Sequence, residues 1–195
     1  MELTYLPENN ILEFKMMELQ LLEKSAKKTN SYTMNSYNYL KWFIDNSKFF
    51  NEVDVDLSHT VSRDNQCRVK SCYHNCWKAV SCGNLKNLRY FDGFVYSKRV
   101  PIPLEHSWLV TPEGLVVDPT LIISGDTAWE QLKEDYHMTE KDKRLTHDLK
   151  RYGDQYYGVE FDLQYLNKLV FKHKKTGGFL IELFLSKGQE MYVNG

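Results

Sequence analysis

Glu105-His106-Ser107-Trp108-Leu109-Val110-Thr111-Pro112-Glu113-Gly114-Leu115-Val116-Val117-Asp118 is the stretch on which the reading of this chain turns. Thr111-Pro112-Glu113-Gly114 supplies a type I or II turn, with proline at its second position and glycine closing it, so residues 105–118 read as a hairpin. If Pro112, Glu113 and Gly114 form a three-residue loop with Gly114 left-handed, Thr111 pairs with Leu115 and Trp108 with Asp118. His106, two residues from Trp108, then shares a face with Asp118. The two lie diagonally, about 7 Å apart between backbones and within side-chain reach. A two-residue loop would send them to opposite faces.

Upstream of the hairpin, residues 88–96 alternate aromatic and polar side chains and read as a strand. Before that strand, Ser71 stands as an N-cap, residues 72–82 as a helix, and Gly83 where a left-handed C-terminal residue belongs. Cys72 therefore opens a helix, where unpaired N–H groups and the helix dipole favour a thiolate. A developing oxyanion would lie beside the same N–H groups, with Gln66 close enough in sequence to add a side-chain donor. Arg68 and Lys70 bring positive potential. Cysteine at a helix start, then histidine, then aspartate on the returning strand is the order of a thiol nucleophile, its base and the group that orients the base.

The other polar residues of this region have plainer readings. Cys76, one turn past Cys72, reads as core, and Cys67 and Cys82 as packing or incidental thiols. Trp108 is a candidate substrate wall and equally a core residue. Asp92-Gly93 reads as a structural turn or bulge in preference to a site carboxylate. The cysteine spacings C-x4-C, C-x3-C and C-x5-C lack the C-x2-C knuckle of zinc sites, so no metal or other cofactor is expected. His59, His137, His147 and His173 read as surface residues.

Residues 11–28 carry an amphipathic helical pattern and residues 35–47 a second. Residues 51–65 read as a polar loop with a short strand at 53–55. Downstream, 127–136 reads as a helix, 139–151 as a charged exposed stretch and 156–161 as extended chain. Asp162 caps a helix over 163–172, Thr176-Gly177-Gly178 makes a turn, and 179–185 is a final apolar strand. The sum is an α+β fold: a helical lobe over 1–65 and a core over 66–195, expected as one compact unit.

With 195 residues, 42% hydrophobic and 26% charged, the composition is that of an ordinary globular protein. Basic and acidic residues number 25 and 26, so no basic excess advertises a nucleic-acid partner. No apolar run approaches the ~18 residues of a membrane helix. The first residues show no signal peptide. Four cysteines clustered between positions 67 and 82 argue for free thiols and an intracellular, cytoplasmic setting.

Several of these pieces also occur together elsewhere. Cys72-Tyr73-His74-Asn75-Cys76, Tyr90-Phe91-Asp92-Gly93-Phe94, Pro103-Leu104-Glu105-His106-Ser107-Trp108, Val116 to Thr120 and Tyr156 to Val159 resemble motifs of bacterial and phage proteins taken to belong to the papain-like and transglutaminase-like thiol superfamily. The resemblance spans residues 66–161. It departs at Cys76, where alanine is usual, and at Asp92, where glutamate is usual. It implies a papain-like or transglutaminase-like core, a cysteine-bearing helix on an antiparallel sheet, with Cys72 as nucleophile, His106 as base and Asp118 as orienter. The activity so implied is thiol-dependent acyl chemistry on a protein or peptide substrate: hydrolysis first, transglutaminase-type transfer or deamidation second. A third expectation is a non-enzymatic interaction protein on the same fold, binding a host factor in the host cytoplasm if phage-encoded. The oligomeric state is left open.

Overall fold

The computed structural model describes residues 10–26, 31–83, 85, 87–97, 100–124, 153 and 155–187. Two helices come first, α1 (Asn10–Ala26) and α2 (Ser31–Asn46). They are followed by β1 (Lys48–Phe50), α3 (Val55–Asp64), α4 (Cys72–Cys82), β2 (Arg89–Ser97), β3 (Val100–Val110), β4 (Val116–Val117) and β5 (Gln155–Phe161). The last two elements are α5 (Leu163–His173) and α6 (Leu180–Lys187). The segments expected as a helix at 127–136 and as a charged stretch at 139–151 lie outside the described residues. The architecture is α+β, with one antiparallel sheet in the order β1-β5-β2-β3-β4.

Strand alternation sorts the side chains onto two faces. Tyr90, Leu109, Val117, Tyr157, Val159 and Phe161 pack against the helices, with Ile11, Phe43, Cys76, Leu166 and Leu183 in the same core. The N-terminal helices thus share the core of the later elements, and β1 joins the sheet by pairing with β5. On the opposite face Phe91, Val95, Trp108, Val110, Val116 and Tyr156 form a second cluster, flanked by Phe50, Val53 and Leu121. Gly93 and Gly158 face each other across β2 and β5. A Cβ at Gly93 would collide with the Tyr157 carbonyl oxygen and with Gly158 Cα, and one at Gly158 with the Trp108 ring, so the close strand approach and the Trp108 seat both require glycine.

The hairpin has the expected register. Leu109 pairs with Val117 and Val110 with Val116. The Thr111 N–H donates to the Leu115 carbonyl at 2.9 Å, and Gly114 has φ +96°. β4 is only two residues long, so among the described residues no strand flanks β3 on that side before Leu109. In this stretch Ser107, Glu105 and Pro103 turn their backbone groups outward, and Pro103 has no N–H to offer.

Five expectations are corrected. Residues 55–64 form α3 and not a loop: Asp54 caps it by accepting the Leu57 N–H at 2.9 Å, and Ser58, Val61 and Ser62 are buried. Only a bridge from Val53 to Val116 remains of the strand expected at 53–55. Residues 180–187 form α6 and not a strand, because Leu180, Leu183 and Phe184 at i, i+3 and i+4 make one buried stripe. Gly83 is extended (φ −90°, ψ 170°) and not left-handed. It is needed for its size, since a Cβ there would collide with the Ala79 carbonyl. Asp92-Gly93 is neither turn nor bulge but regular strand, with Asp92 opposite Ser107.

Candidate active site

α4 begins beside the bare part of β3. Because residues of Ser107 parity turn both backbone groups outward, Ser107 meets the helix with an N–H and a carbonyl. The N–H donates to the Cys72 sulfur, and the carbonyl accepts the Cys76 thiol at 3.4 Å. Two cysteines one helical turn apart thus dock on one residue. Ser71 sits at the N-cap position but its hydroxyl donates to the Val69 carbonyl at 3.4 Å and caps nothing. The first N–H groups of α4 are therefore left to the site, and that of Tyr73 donates to Cys72.

The loop leading to Cys72 is held in an unusual path. Gln66 (φ 51°) and Lys70 (φ 59°) are left-handed without being glycine, a strain of roughly 1 kcal/mol or more each. Asn75, one turn inside α4, fixes this path. Its Oδ1 accepts the Arg68 N–H at 3.1 Å, and its Nδ2 donates to the Arg68 carbonyl at 2.7 Å and to Thr120 Oγ1 at 2.8 Å. One amide thus ties the loop, the helix and the segment after Asp118 together.

His106 and Asp118 share the face opposite the helices, as the three-residue loop requires. His106 Nε2–H donates to Asp118 Oδ2 at 2.8 Å. The remaining ring nitrogen, Nδ1, is the one free to meet Cys72, with which His106 is hydrogen-bonded. Asp118 is fully buried, and its carboxylate is saturated with donors. Oδ2 also accepts the Tyr156 hydroxyl at 3.0 Å, while Oδ1 accepts the N–H groups of Thr120 at 3.1 Å and Leu121 at 2.9 Å. The Asp118 N–H donates to Ser58 Oγ at 3.0 Å.

These contacts set the protonation states. Burial pushes the Asp118 carboxyl up, but the His106 charge and hydrogen bond, with the N–H groups of Leu121 and Thr120, outweigh it and hold the carboxyl below its ordinary value. Burial lowers His106, but the charge and hydrogen bond of Asp118, then those of Cys72, raise it from 6.5 to about 10. Burial also pushes Cys72 up, yet the His106 hydrogen bond and charge and the N–H groups of Ser107 and Tyr73 bring it below its ordinary value. Both shifts act in favour of a thiolate–imidazolium pair on a carboxylate. Cys76, fully buried, is pushed well above an ordinary thiol, and burial lifts Cys67 to about 11. Cys72 combines partial exposure with a lowered pKa.

Of the residues singled out in the sequence, Cys72, His106 and Asp118 are brought together. Gln66 is exposed, with its backbone N–H on the Arg63 carbonyl at 3.1 Å. Trp108 is not a substrate wall. It is fully buried, stacked on Phe91 at 6.0 Å between ring centroids and edge-on to Tyr156 at 5.2 Å. The sequence motifs included Asn75 and Tyr156 without giving either a role, and Ser58 and the backbone of Ser107 were passed over. Among the described residues no group of three or more His, Cys, Asp or Glu could hold a metal ion, and no helix is long and apolar enough to cross a membrane.

The raised His106 gives a pH dependence with a defined sign. In the unfolded chain the imidazole titrates near 6.5 and in the folded chain near 10. Its stabilisation is complete below 6.5 and is lost as pH rises toward 10, where the unfolded chain binds fewer protons than the folded one. Cys72 contributes the opposite slope, and the raised Cys67 and Cys76 thiols add to the fall above about pH 8, so urea denaturation of the Cys72→Ala protein between pH 7 and 8 reads the effect of His106. Stability should fall across that range, and a flat profile would contradict the buried His106–Asp118 pair.

Comparisons with protein-family models, with curated proteins and with solved structures return no match to this chain.

Proposed function

We propose that the chain performs thiol-dependent acyl chemistry, hydrolysing an amide, isopeptide or thioester bond of a protein or peptide, and that it belongs among papain-like and transglutaminase-like enzymes. The reading rests on one observation: an accessible cysteine of lowered pKa, hydrogen-bonded to a histidine whose other nitrogen donates to a saturated, buried aspartate at 2.8 Å. The Cys72 thiolate attacks the carbonyl carbon, forming a C–S bond while the π electrons move to oxygen. The uncapped N–H groups at the start of α4 receive that oxyanion, with Gln66 as the candidate side-chain donor. Collapse breaks the bond to the leaving group, which takes its proton from His106. His106 then deprotonates water, the hydroxide attacks the thioester, and the thiolate departs. An amine in place of water would give acyl transfer.

The test uses 4-nitrophenyl acetate as a generic acyl donor. A burst of one nitrophenolate per chain is expected, with an acetyl group on Cys72 by mass spectrometry and slower turnover after it. Cys72→Ala should lose both. Equal acetylation and release by the Cys72→Ala protein would refute the proposal. Hydroxylamine, added in the second step, separates transfer from hydrolysis by forming the hydroxamate.

A further inference from the structure

The helix-side face of the sheet next to Cys72 is both anionic and aromatic. Glu105 and Ser107 on β3 share it with Asp92 and Phe94 on β2, Asp92 lying opposite Ser107 and Phe94 opposite Glu105. Tyr73, the residue after Cys72, packs its ring against Gly177, two residues before the Phe179 that bonds Asp92, and both Tyr73 and Tyr39 of α2 feel the charge of this patch. Burial raises both hydroxyls first. Asp92 and Glu105 then push on each, joined by Glu18 at Tyr39 and by Cys72 at Tyr73. These acting charges are all negative.

A second observation points to a ligand. Asp92 is 1% exposed, and its Oδ2 accepts the Phe179 N–H at 3.3 Å, but among the described residues Oδ1 has no partner, and neither have the Ser107 and Tyr90 hydroxyls on the same face. Burial pushes the Asp92 carboxyl up to about 7, against the N–H groups of Phe179 and Gly178 and the His106 charge, so a cation seated beside Oδ1 would restore its charge. The patch already holds one ammonium at its far end. Lys15 Nζ lies 3.7 Å from the Phe94 ring centroid and 3.1 Å from Glu18.

We propose that Glu105, Asp92, Tyr39 and Tyr73 form a subsite for a cationic group, an ammonium or guanidinium, presented next to Cys72. The inference rests on Cys72 being the reacting thiol and adds the class of substrate: one bearing a positive charge near the scissile carbonyl or on the group that attacks the acyl-enzyme. Carboxylates supply the charge and tyrosine faces the aromatic wall.

The probes are methanethiosulfonates, which a thiolate attacks at the sulfenyl sulfur, forming a disulfide and expelling methanesulfinate. Rates at Cys72 are measured with the trimethylammonium-ethyl, neutral methyl and sulfonato-ethyl reagents, with Cys67 and Cys82 replaced by serine. The cationic reagent should outpace the anionic one by at least about 10-fold more than it does with free cysteine, and added salt should shrink that ratio. Glu105→Gln, an exposed position, should cut the ratio several-fold and Glu105→Lys invert it. Asp92→Asn should cut it too, and Glu113→Gln at the hairpin tip serves as the control. Protection of Cys72 by N-acetyl-lysine amide alone puts the cation on the acyl substrate. Protection by methylammonium as well puts it on the acceptor. A ratio matching free cysteine and unmoved by Glu105→Lys overturns the subsite. If instead the neutral reagent reacts at Cys72 no faster than with free cysteine at pH 6, the thiolate reading itself fails.

Discussion

His106→Ala is expected to slow alkylation of Cys72 at pH 6 by on the order of 100-fold, with the deficit shrinking toward pH 9. An ordinary thiol near pKa 8.5 is roughly 0.3% ionised at pH 6. The lowered pKa of Cys72 raises its ionised fraction above that level, and its lower intrinsic nucleophilicity takes back part of the advantage. The largest forces lowering Cys72 are the His106 hydrogen bond and charge, acting against burial, so removing the imidazole leaves burial opposed only by the N–H groups of Ser107 and Tyr73. Iodoacetamide kinetics across pH 5–9, read at Cys72 by mass spectrometry, make the measurement. Superimposable wild-type and His106→Ala profiles would dissolve the Cys–His pair.

Trp108→Ala should cost about 3–5 kcal/mol of folding stability. That is a large fraction of the roughly 5–15 kcal/mol available to a domain. The indole is fully buried between Phe91, Phe50 and Tyr156. The loss should also reach the site, because the Tyr156 ring rests on Trp108 and its hydroxyl donates to Asp118. Urea unfolding reads the stability and pH 6 alkylation the site. Trp108→Phe should be much milder, since it keeps an aromatic ring and removes an indole N–H that has no partner among the described residues. A loss of under 1 kcal/mol for alanine would mean that the second core does not support this face.

The parts legible in the sequence were those fixed by short-range rules. Pro112 and Gly114 determined the loop, the loop determined the register, and the register put His106 and Asp118 on one face. Asp162 capped α5 as its position suggested, accepting the Tyr165 N–H at 2.9 Å. What stayed hidden depends on distant partners. Tyr156 reaches Asp118 only because β5 pairs with β2, and Ser58 reaches it only because residues 55–64 are a helix. The polar run at 55–64 hid a stripe one turn wide, Leu57 and Val61, behind serines that turned out buried. At 179–185 the run is so apolar that strand and helix periods both fit. The signal that separates them, Leu180, Leu183 and Phe184, shows only once Ile181 and Leu185 are known to be exposed. Asn75 looked like one more polar helix residue, and nothing local announced that it would clasp Arg68 and Thr120.

Among the described residues the short β4 leaves β3 with an open margin beside Cys72, and Pro103 lies on that margin. An open margin ordinarily invites a second chain to zip on, with sheet growth and insoluble assemblies as the outcome. Here a docking strand would find a donor at Glu105 and then a missing rung at Pro103, so pairing halts after a single residue. The margin beside Cys72 thus offers neighbouring copies no continuous template to polymerise on.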